Sequence, residues 1–382
     1  MTTKTTSQSN TAVAELENSA AQGTLPREIT KTLLVGLDLG TNTTCIEYSN
    51  STSSETELSE LIPSLVGYAR SGILPDVIPG NETTLFGTDA LQYKLHLDLV
   101  QPLRDGIIED MNAVRDYLVH LKAKTNSDEN TEIRAVIGIP ANTGPEAREN
   151  VHVAVTGLFD KVILIPEPFL AALGCREVSK TSESGYIDPI SNSIFIDIGA
   201  GSSDICLIQG YYPSSEDQIS FAFAGDAIDE MIQEAIIAKY PDCGISIAKC
   251  REIKEQHSFV NGAKQSVLAP VMIGGKIKEL EVADAIDAAC NALLERIYQA
   301  VRSLIVKADP DSIPNLLQNI IMTGGGSMIS GIDQALEELL SGEGFEGCQV
   351  ASVGETFKTR VATGALIAAR QAGDRQWQTL LI

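Results

Sequence analysis

The sequence predicts an α/β protein whose two related halves enclose a shared cleft. Three observations lead to this fold class. From residue 31 onward, short apolar runs typical of strands alternate with segments of helical periodicity, which favours mostly parallel sheets. A segment that combines Asp, Gly and hydroxyl residues occurs twice, 159 residues apart. A third glycine-rich turn, at residues 324–326, follows a predicted strand.

The predicted strands are short β-rich apolar runs, and the predicted helices repeat apolar residues with a period of about 3.6. We expect strands at residues 33–39, 132–139, 162–165, 193–198, 205–209 and 319–323. We expect helices at residues 111–124, 145–158, 227–239, 283–307 and 332–340. Their alternation along the chain is the pattern of strand–helix–strand units.

The composition is that of an acidic globular protein. The 382 residues include 51 Asp and Glu against 28 Lys and Arg, which gives a formal net charge of −23. Such a surface repels phosphate backbones and anionic lipid, so we expect no direct binding of nucleic acid. The longest uncharged stretch, residues 312–332, contains Pro314 and four glycines and is too polar for a membrane span. We therefore expect no direct transmembrane anchor.

The cysteine and histidine pattern argues against a structural metal or a disulfide framework. The seven cysteines and four histidines are scattered, with no C-x-x-C pair and no Cys/His cluster. Neither a zinc site nor a set of disulfides is expected from such spacing. The polar N-terminal segment has no apolar core of the secretory type, so we expect a cytoplasmic protein.

Two polar segments interrupt the α/β pattern. Residues 1–31 are rich in Thr, Ser, Asn and Gln, and we expect a disordered tail with one marginal helix in the alanine-rich stretch 11–21. Residues 179–192 lie between a predicted helix and a predicted strand, and we expect an exposed loop there. This loop is either a tolerated insertion or a contact for an adaptor or a lateral filament neighbour.

The repeated segments have the chemistry of phosphate-binding loops. Residues 35–46 and 194–205 both read strand, Asp, apolar residue, Gly, two residues, two hydroxyl-rich positions, strand. Glycine lets backbone N–H groups approach phosphate oxygens closely, and neighbouring hydroxyls add donors. Asp38 and Asp197 would then face each other across the cleft. The alternative is that both aspartates only cap turns.

Two carboxylates beside a triphosphate require a cation between them. Mg²⁺ prefers oxygen ligands and keeps several of its waters, so Asp38 and Asp197 would hold it largely through water. The third glycine turn, within residues 320–331, would let an adenosine or ribose approach the backbone. The cofactors predicted from these segments are ATP and Mg²⁺, although a preference for ATP over GTP does not follow from the sequence.

Together, the two phosphate-type loops and the third turn resemble the superfamily of actin, heat-shock chaperones and sugar kinases, over residues 33–371. Within it, residues 101–109 (QPLRDGIIE) resemble a segment of the bacterial actin families MreB and MamK. Residues 252–260 (EIKEQHSFV) are similar to the adenine-contacting helix of actins, and residues 139–141 (IPA) and 166–169 (PEPF) also match.

The resemblance is greater to the MamK family of magnetosome filament proteins than to the MreB family. Ala200 stands where MreB proteins usually have Gly, and Asp204 stands where they usually have Glu. Residues 224–230 and Trp377 also look MamK-like. The N-terminal extension, the 179–192 insert and Asn42 depart from the family pattern, which leaves the set of partners open.

The resemblance implies a fold and a division into domains. The fold is that of the actin and heat-shock-chaperone ATPases, with two RNase H-like halves around a nucleotide cleft. Domain I would comprise residues 32–192 and about 361–375, with a small lobe at about 63–100. Domain II would comprise residues 193–360, with a small lobe at about 222–284.

The resemblance also implies roles for single residues. Glu167 would orient and polarise the water that attacks the γ-phosphate; the alternative is a turn carboxylate between two prolines. Lys254 and Glu255 would line the adenine and ribose side, or else form a surface ion pair on a helix. The remaining residues implied to surround ATP are Thr41, Asn42, Thr43, Gly199, Ala200, Gly201, Ser202, Ser203, Asp204, Gly324, Gly325, Gly326, Ser327 and Met328.

The implied function is an ATPase that polymerises with itself into dynamic cytoplasmic filaments and positions magnetosomes through adaptor proteins. Hydrolysis would drive filament turnover. Two alternatives share the fold: an MreB-like filament for cell shape or plasmid partition, and a small-molecule kinase. We expect no chaperone substrate domain, because only about 50 residues follow the third glycine turn.

Overall fold

The computed structural model describes residues 28–104, 106–140, 143–183, 185–211, 213, 215–262 and 266–379. The predicted disordered tail, apart from its last four residues, and its alanine-rich stretch lie outside the described residues.

The first part of the chain is rich in strands. Its elements are β1 (Lys31–Leu39), β2 (Thr43–Asn50), β3 (Leu58–Pro63), β4 (Val66–Ala69), β5 (Thr84–Phe86), α1 (Gly87–Gln92), β6 (Leu97–Val100), β7 (Leu103–Arg104), β8 (Ile107–Ile108), α2 (Met111–Ala123), β9 (Thr131–Ile139), α3 (Pro145–Val155), β10 (Lys161–Pro166) and α4 (Glu167–Cys175).

The second part contains the longer helices. Its elements are β11 (Ser193–Ile198), β12 (Ser203–Ile208), β13 (Gln218–Phe221), α5 (Gly225–Lys239), α6 (Ile247–His257), β14 (Leu268–Ile273), β15 (Lys276–Glu281), α7 (Ala283–Lys307), α8 (Ile313–Leu317), β16 (Ile320–Thr323), α9 (Ile332–Gly342), β17 (Val350–Ser352), α10 (Phe357–Gln371) and β18 (Gln378–Thr379).

Two large mixed sheets organise the molecule. The first has the strand order β18-β10-β9-β1-β2-β3, and the second has the order β13-β12-β11-β16-β17. In each sheet the central strand pairs antiparallel with the next strand in sequence and parallel with a later one: β1 with β2 and β9, and β11 with β12 and β16. The predicted α/β class is therefore confirmed, but the expectation of mostly parallel sheets is wrong, because β2, β3, β12, β13 and β18 all pair antiparallel with their neighbours.

The sequence repeat is also a structural repeat. In the first hairpin, Asp38 pairs with Cys45. In the second, Asp197 pairs with Asp204. Both pairs are related by the same offset of 159 residues. The two hairpins therefore share one register, and each ends in a loop that follows an aspartate.

The two sheets are joined through a common layer of helices. Leu34 and Val136 from the first sheet and Phe195 and Ile321 from the second belong to one buried cluster, which includes residues of α4 and α10. These two helices approach so closely that a β-carbon at Gly364 would overlap the carbonyl of Leu170. Because α10 also packs against β1, and β18 pairs with β10, the C-terminal segment returns to the first sheet.

Smaller elements lie at the periphery. Strands β5, β4 and β6 form a three-stranded sheet with its own small core of Ile78, Leu85, Ala90 and Leu97. The hairpin of β14 and β15, together with α5, α6 and α7, packs beside the second sheet and shares its core. No helix in the described part of the chain combines the length and apolar character that crossing a bilayer requires.

The predicted elements are present, with shifted ends. The helix predicted at residues 145–158 ends at Val155, and the strand predicted at 205–209 begins earlier, at Ser203. The loop predicted at residues 179–192 is exposed over 179–183, but its end is anchored, because Arg176 forms an ion pair with Asp188 at 2.8 Å. The buried Asn192 further ties it to the carbonyl of Ser312.

Candidate functional site

A cleft of about 500 Å³ lies between the two sheets, at the ends of their central strands. Both repeated loops, the third glycine turn, the start of α4 and one face of α6 line it. Every residue predicted to bind nucleotide or metal, or to act in catalysis, lines this cleft except Ser203, Asp204 and Ser327. The structure therefore brings together sequence segments that are as much as 290 residues apart, from Asp38 to Met328.

The three exceptions lie behind the lining. Ser203 is fully buried, and its hydroxyl donates to the carbonyl of Phe223 at 2.9 Å. Asp204 accepts a hydrogen bond from the Ser202 hydroxyl at 2.8 Å. The buried Ser327 hydroxyl donates to the carbonyl of Gly324 at 2.7 Å. These side chains fix the loops from beneath, and a direct contact with nucleotide stays a prediction for them.

The first loop is held by side chains from outside the hairpin. The hydroxyl of Ser64 donates to the carbonyl of Gly40 at 2.6 Å. The side-chain amide of Gln101 donates to the carbonyl of Thr41 at 3.1 Å and to the Oδ1 atom of Asn42 at 3.2 Å. Asn42, where the chain departs from the family pattern, is thus fixed in place by Gln101.

The second loop is held by the beginning of α5. The backbone N–H of Gly199 closes the loop on the carbonyl of Ser202 at 2.9 Å. The N–H of Gly225 donates to the carbonyl of Gly199 at 3.2 Å, and the N–H of Asp226 donates to the carbonyl of Ala200 at 2.7 Å. The conformation of this loop therefore depends on where α5 starts.

The third turn requires glycine where it meets the second hairpin. Gly324 has a φ of +77° and a ψ of 171°, a conformation that is essentially restricted to glycine. A β-carbon at Gly324 would lie 2.5 Å from Oδ1 of Asp197, and closer still to the carbonyl oxygen of Ile198. The turn and the aspartate therefore form one compact wall of the cleft.

The floor of the cleft is strongly acidic. Burial raises the pKa of Asp38 to about 7, and burial together with Asp204 and Asp38 raises the pKa of Asp197 to about 8. The pKa of Glu167 is raised well above its usual range, first by burial and then by the charges of Asp38, Asp204 and Asp197. Among the described residues, no Lys or Arg forms an ion pair with Asp38, Glu167 or Asp197.

This acidic floor fits a cation that is held through water. Within the described ranges, no three His, Cys, Asp or Glu side chains lie close enough together to hold a metal ion directly. Carboxylate oxygens beside glycine loops with exposed backbone N–H groups are nevertheless the donor set that Mg²⁺ and phosphate require. The arrangement suits an anionic ligand that arrives with its own hydrated divalent cation.

Helix α6 supplies cations to the opposite wall. Lys254 donates to the carbonyl of Gly225 at 2.7 Å and forms an ion pair with Asp229 at 2.8 Å. The alternative of a surface ion pair on a helix is therefore wrong for Lys254, because its partner Asp229 is buried on another helix and only 14% of the lysine side chain is exposed. Both residues line the cleft, as predicted.

Some lining residues were missed by the sequence analysis. Arg251 lies three residues before Lys254 on the same face of α6, so the helical period alone could have found it, whereas Ser258 directly follows the last residue of that helix. Phe357 and Lys358 come from the start of α10, and no motif in the sequence marks them. Asp226 is the second residue of α5 and is fixed by its contact with the second loop.

The comparisons with known proteins agree with this geometry. A family model described as MreB/Mbl protein matches residues 32–371. The actin-like protein MamK of Paramagnetospirillum magneticum is 29% identical over 354 residues, which cover 91% of this chain and 95% of that protein. A solved MamK double helical filament has a TM-score of 0.78 at 28% identity and covers 90% of this chain and 100% of its own. A non-polymerising MamK mutant bound to AMPPNP has a TM-score of 0.66 at 28% identity, with coverages of 88% and 98%. The predicted resemblance to MamK is confirmed.

Proposed function

The chain belongs to the MreB/Mbl family, and we propose that it is an actin-like ATPase whose filaments assemble and turn over with the nucleotide cycle. The main support for this proposal is the geometry of the cleft. Two hairpins of identical register present glycine loops and aspartates to one space, and a third glycine turn closes it. A nucleotide bound there would touch both halves of the molecule at once.

The acidic floor gives Glu167 a defined chemical task. Glu167 begins α4 directly after β10 and lines the cleft beside Asp38 and Asp197. When bound, Mg²⁺ supplies positive charge that offsets these carboxylates and the phosphate oxygens. With that charge offset, the Glu167 carboxylate would be ionised, would orient a water toward the γ-phosphate and would accept its proton.

The two halves explain why hydrolysis would depend on assembly. We assign domain I to residues 32–192 and about 361–375, and domain II to residues 193–360. Nucleotide phosphates would bridge the loops of both domains, and contacts in the filament would select a flatter arrangement that brings Glu167 and its water into line. Hydrolysis would then be slow in the monomer and faster in the polymer, and loss of phosphate would weaken the bridge.

The similarity to MamK supports a more specific role. That relative is named an actin-like protein, and the solved MamK structure with a TM-score of 0.78 is a double helical filament. We propose that this chain forms cytoplasmic homopolymers that position magnetosomes through adaptor proteins rather than through lipid. The exposed residues 179–183 are a candidate surface for an adaptor.

Sedimentation with different nucleotides tests the proposal. Purified full-length protein is incubated with Mg²⁺ and ATP, AMPPNP or ADP, and pellets are examined by electron microscopy. We expect filaments with ATP and more persistent filaments with AMPPNP, because AMPPNP is not hydrolysed. If nothing pellets under any condition and a small hydroxyl compound instead stimulates ADP production, the protein is a kinase on the same fold.

A further inference from the structure

Asp229 is the most deeply buried charged residue near the cleft, yet it does not line the cleft. Its side chain is fully buried on α5. Its two carboxylate oxygens contact two cations from α6: Arg251 Nε lies 3.0 Å from Oδ2, and Lys254 Nζ lies 2.8 Å from Oδ1. A buried carboxylate is tolerated only when it is paired in this way. Both of its cationic partners line the cleft.

The contacts form an alternating ladder between two helices. On α5 the acidic residues Asp226 and Asp229 are three positions apart, and on α6 the basic residues Arg251 and Lys254 have the same spacing. Arg251 also contacts Oδ1 of Asp226 at 2.7 Å, so that Arg251 lies between the two aspartates. Side chains three positions apart share one helical face, which is why the two faces match.

The ladder ends at the second glycine loop. Lys254 Nζ donates to the carbonyl of Gly225 at 2.7 Å. The N–H of Gly225 in turn donates to the carbonyl of Gly199 at 3.2 Å. A continuous path of contacts therefore runs from Asp229 through Lys254 and Gly225 to the loop that would carry phosphate.

We propose that Asp229 is a positioning residue for nucleotide binding, which acts by holding Lys254 against the start of α5 and the second glycine loop. This inference rests on the proposed nucleotide-binding function. Loss of the Asp229 charge would release Lys254 from its buried partner while leaving the cleft lining chemically unchanged. The effect on a nucleotide would pass through Lys254 and not through Asp229 directly.

The test measures binding of Mg²⁺-AMPPNP by calorimetry in the full-length protein. We expect Asp229→Asn, which keeps the shape and removes the charge, to weaken binding by about tenfold or more, since Lys254 loses the buried ion pair that holds it in place. Glu132→Gln is the matched control. Glu132 also joins an arginine and a lysine, Arg134 at 2.8 Å and Lys161 at 3.2 Å. It lies at the opposite end of β9 from the cleft, roughly 20 Å away.

A double-mutant cycle that combines Asp229→Asn with Lys254→Gln distinguishes a positioning role of Asp229 from a general structural role. If Asp229 acts through Lys254, Asp229→Asn adds less than about threefold to the loss already caused by Lys254→Gln. In Asp229→Asn the buried Lys254 ammonium loses its carboxylate partner, whereas the double variant contains neither charge, so the double variant is expected to fold even where the Asp229→Asn single variant does not.

Three results would overturn the proposal. The first is binding by Asp229→Asn within about threefold of the wild type. The second is a fully additive loss in the double variant. The third is an equal loss of affinity in Glu132→Gln, which would show that any broken ion pair weakens binding. If the wild-type protein does not bind Mg²⁺-AMPPNP at all, the proposed function itself fails, and the inference about Asp229 fails with it.

Discussion

The third glycine turn can be tested by replacing Gly324 with alanine. The neighbouring Gly325 serves as the control, because its backbone conformation is not restricted to glycine. Gly324 has a φ of +77° and a ψ of 171°, and a β-carbon there would lie 2.5 Å from Oδ1 of Asp197. Gly325 has no positive φ, and among the residues that the structure describes its β-carbon would meet only Phe357 Cζ, at 4.0 Å. The two substitutions add the same methyl group in very different surroundings.

The expected difference follows from backbone strain and overlap. A conformation restricted to glycine costs an alanine about 1–3 kcal/mol. The overlap with the Ile198 carbonyl adds to this, so we expect Gly324→Ala to lower the free energy of unfolding by about 2–4 kcal/mol. For a chain of this size, 3 kcal/mol corresponds to a fall in melting temperature of about 4 °C. Gly325→Ala should change stability by less than about 0.5 kcal/mol.

The assay is thermal unfolding of both variants and the wild type, without nucleotide, followed by circular dichroism. Equal melting temperatures for Gly324→Ala and Gly325→Ala would contradict this expectation. That result would mean that the turn does not press against Asp197 and Ile198 as described.

Three further predictions concern the cleft and its support. Because the pKa of Asp197 is raised to about 8, the folded state without nucleotide binds the extra proton. The free energy of unfolding should therefore fall as pH rises from about 6.5 to 8, by up to about 1.4 kcal/mol per pH unit for each carboxyl. In melting scans recorded across this range, Asp197→Asn should show a smaller dependence on pH than the wild type. A stability that increased with pH would contradict this. Glu167→Gln should slow phosphate release by about 100-fold or more while filaments still pellet, and release at the wild-type rate would remove Glu167 from the catalytic role. Ser64→Ala should cost about 1–3 kcal/mol in urea unfolding, since the part-buried Gly40 carbonyl and the buried Thr44 hydroxyl lose a partner, whereas an unchanged midpoint would show that Ser64 does not hold the first loop.

The repeat was the most informative feature of the sequence. It predicted two equivalent hairpins, and the structure gives both the same register, with Asp38 opposite Cys45 and Asp197 opposite Asp204. Local composition was sufficient here, because a strand, an aspartate and a glycine turn within about 12 residues define a hairpin without help from the rest of the chain.

Long-range contacts were not predictable in the same way. Asp229 lies on a helical face that reads as ordinary amphipathic sequence, and its two cations come from a different helix. Phe357 enters the cleft from α10, whose position depends on close helix packing against α4. Such contacts depend on how elements dock, which one sequence does not specify by periodicity. The predicted domain boundaries and the roles of Ser203, Asp204 and Ser327 stay predictions.

In the proposed function, nucleotide chemistry in the cleft is coupled to assembly of the filament. The most direct measurement is phosphate release per molecule, recorded together with sedimentation, as protein concentration is raised in the presence of Mg²⁺ and ATP. We expect release per molecule to rise sharply above a critical concentration, at the same point where filaments begin to pellet. A rate per molecule that stays constant across the range, with no pelleted filaments, would contradict it.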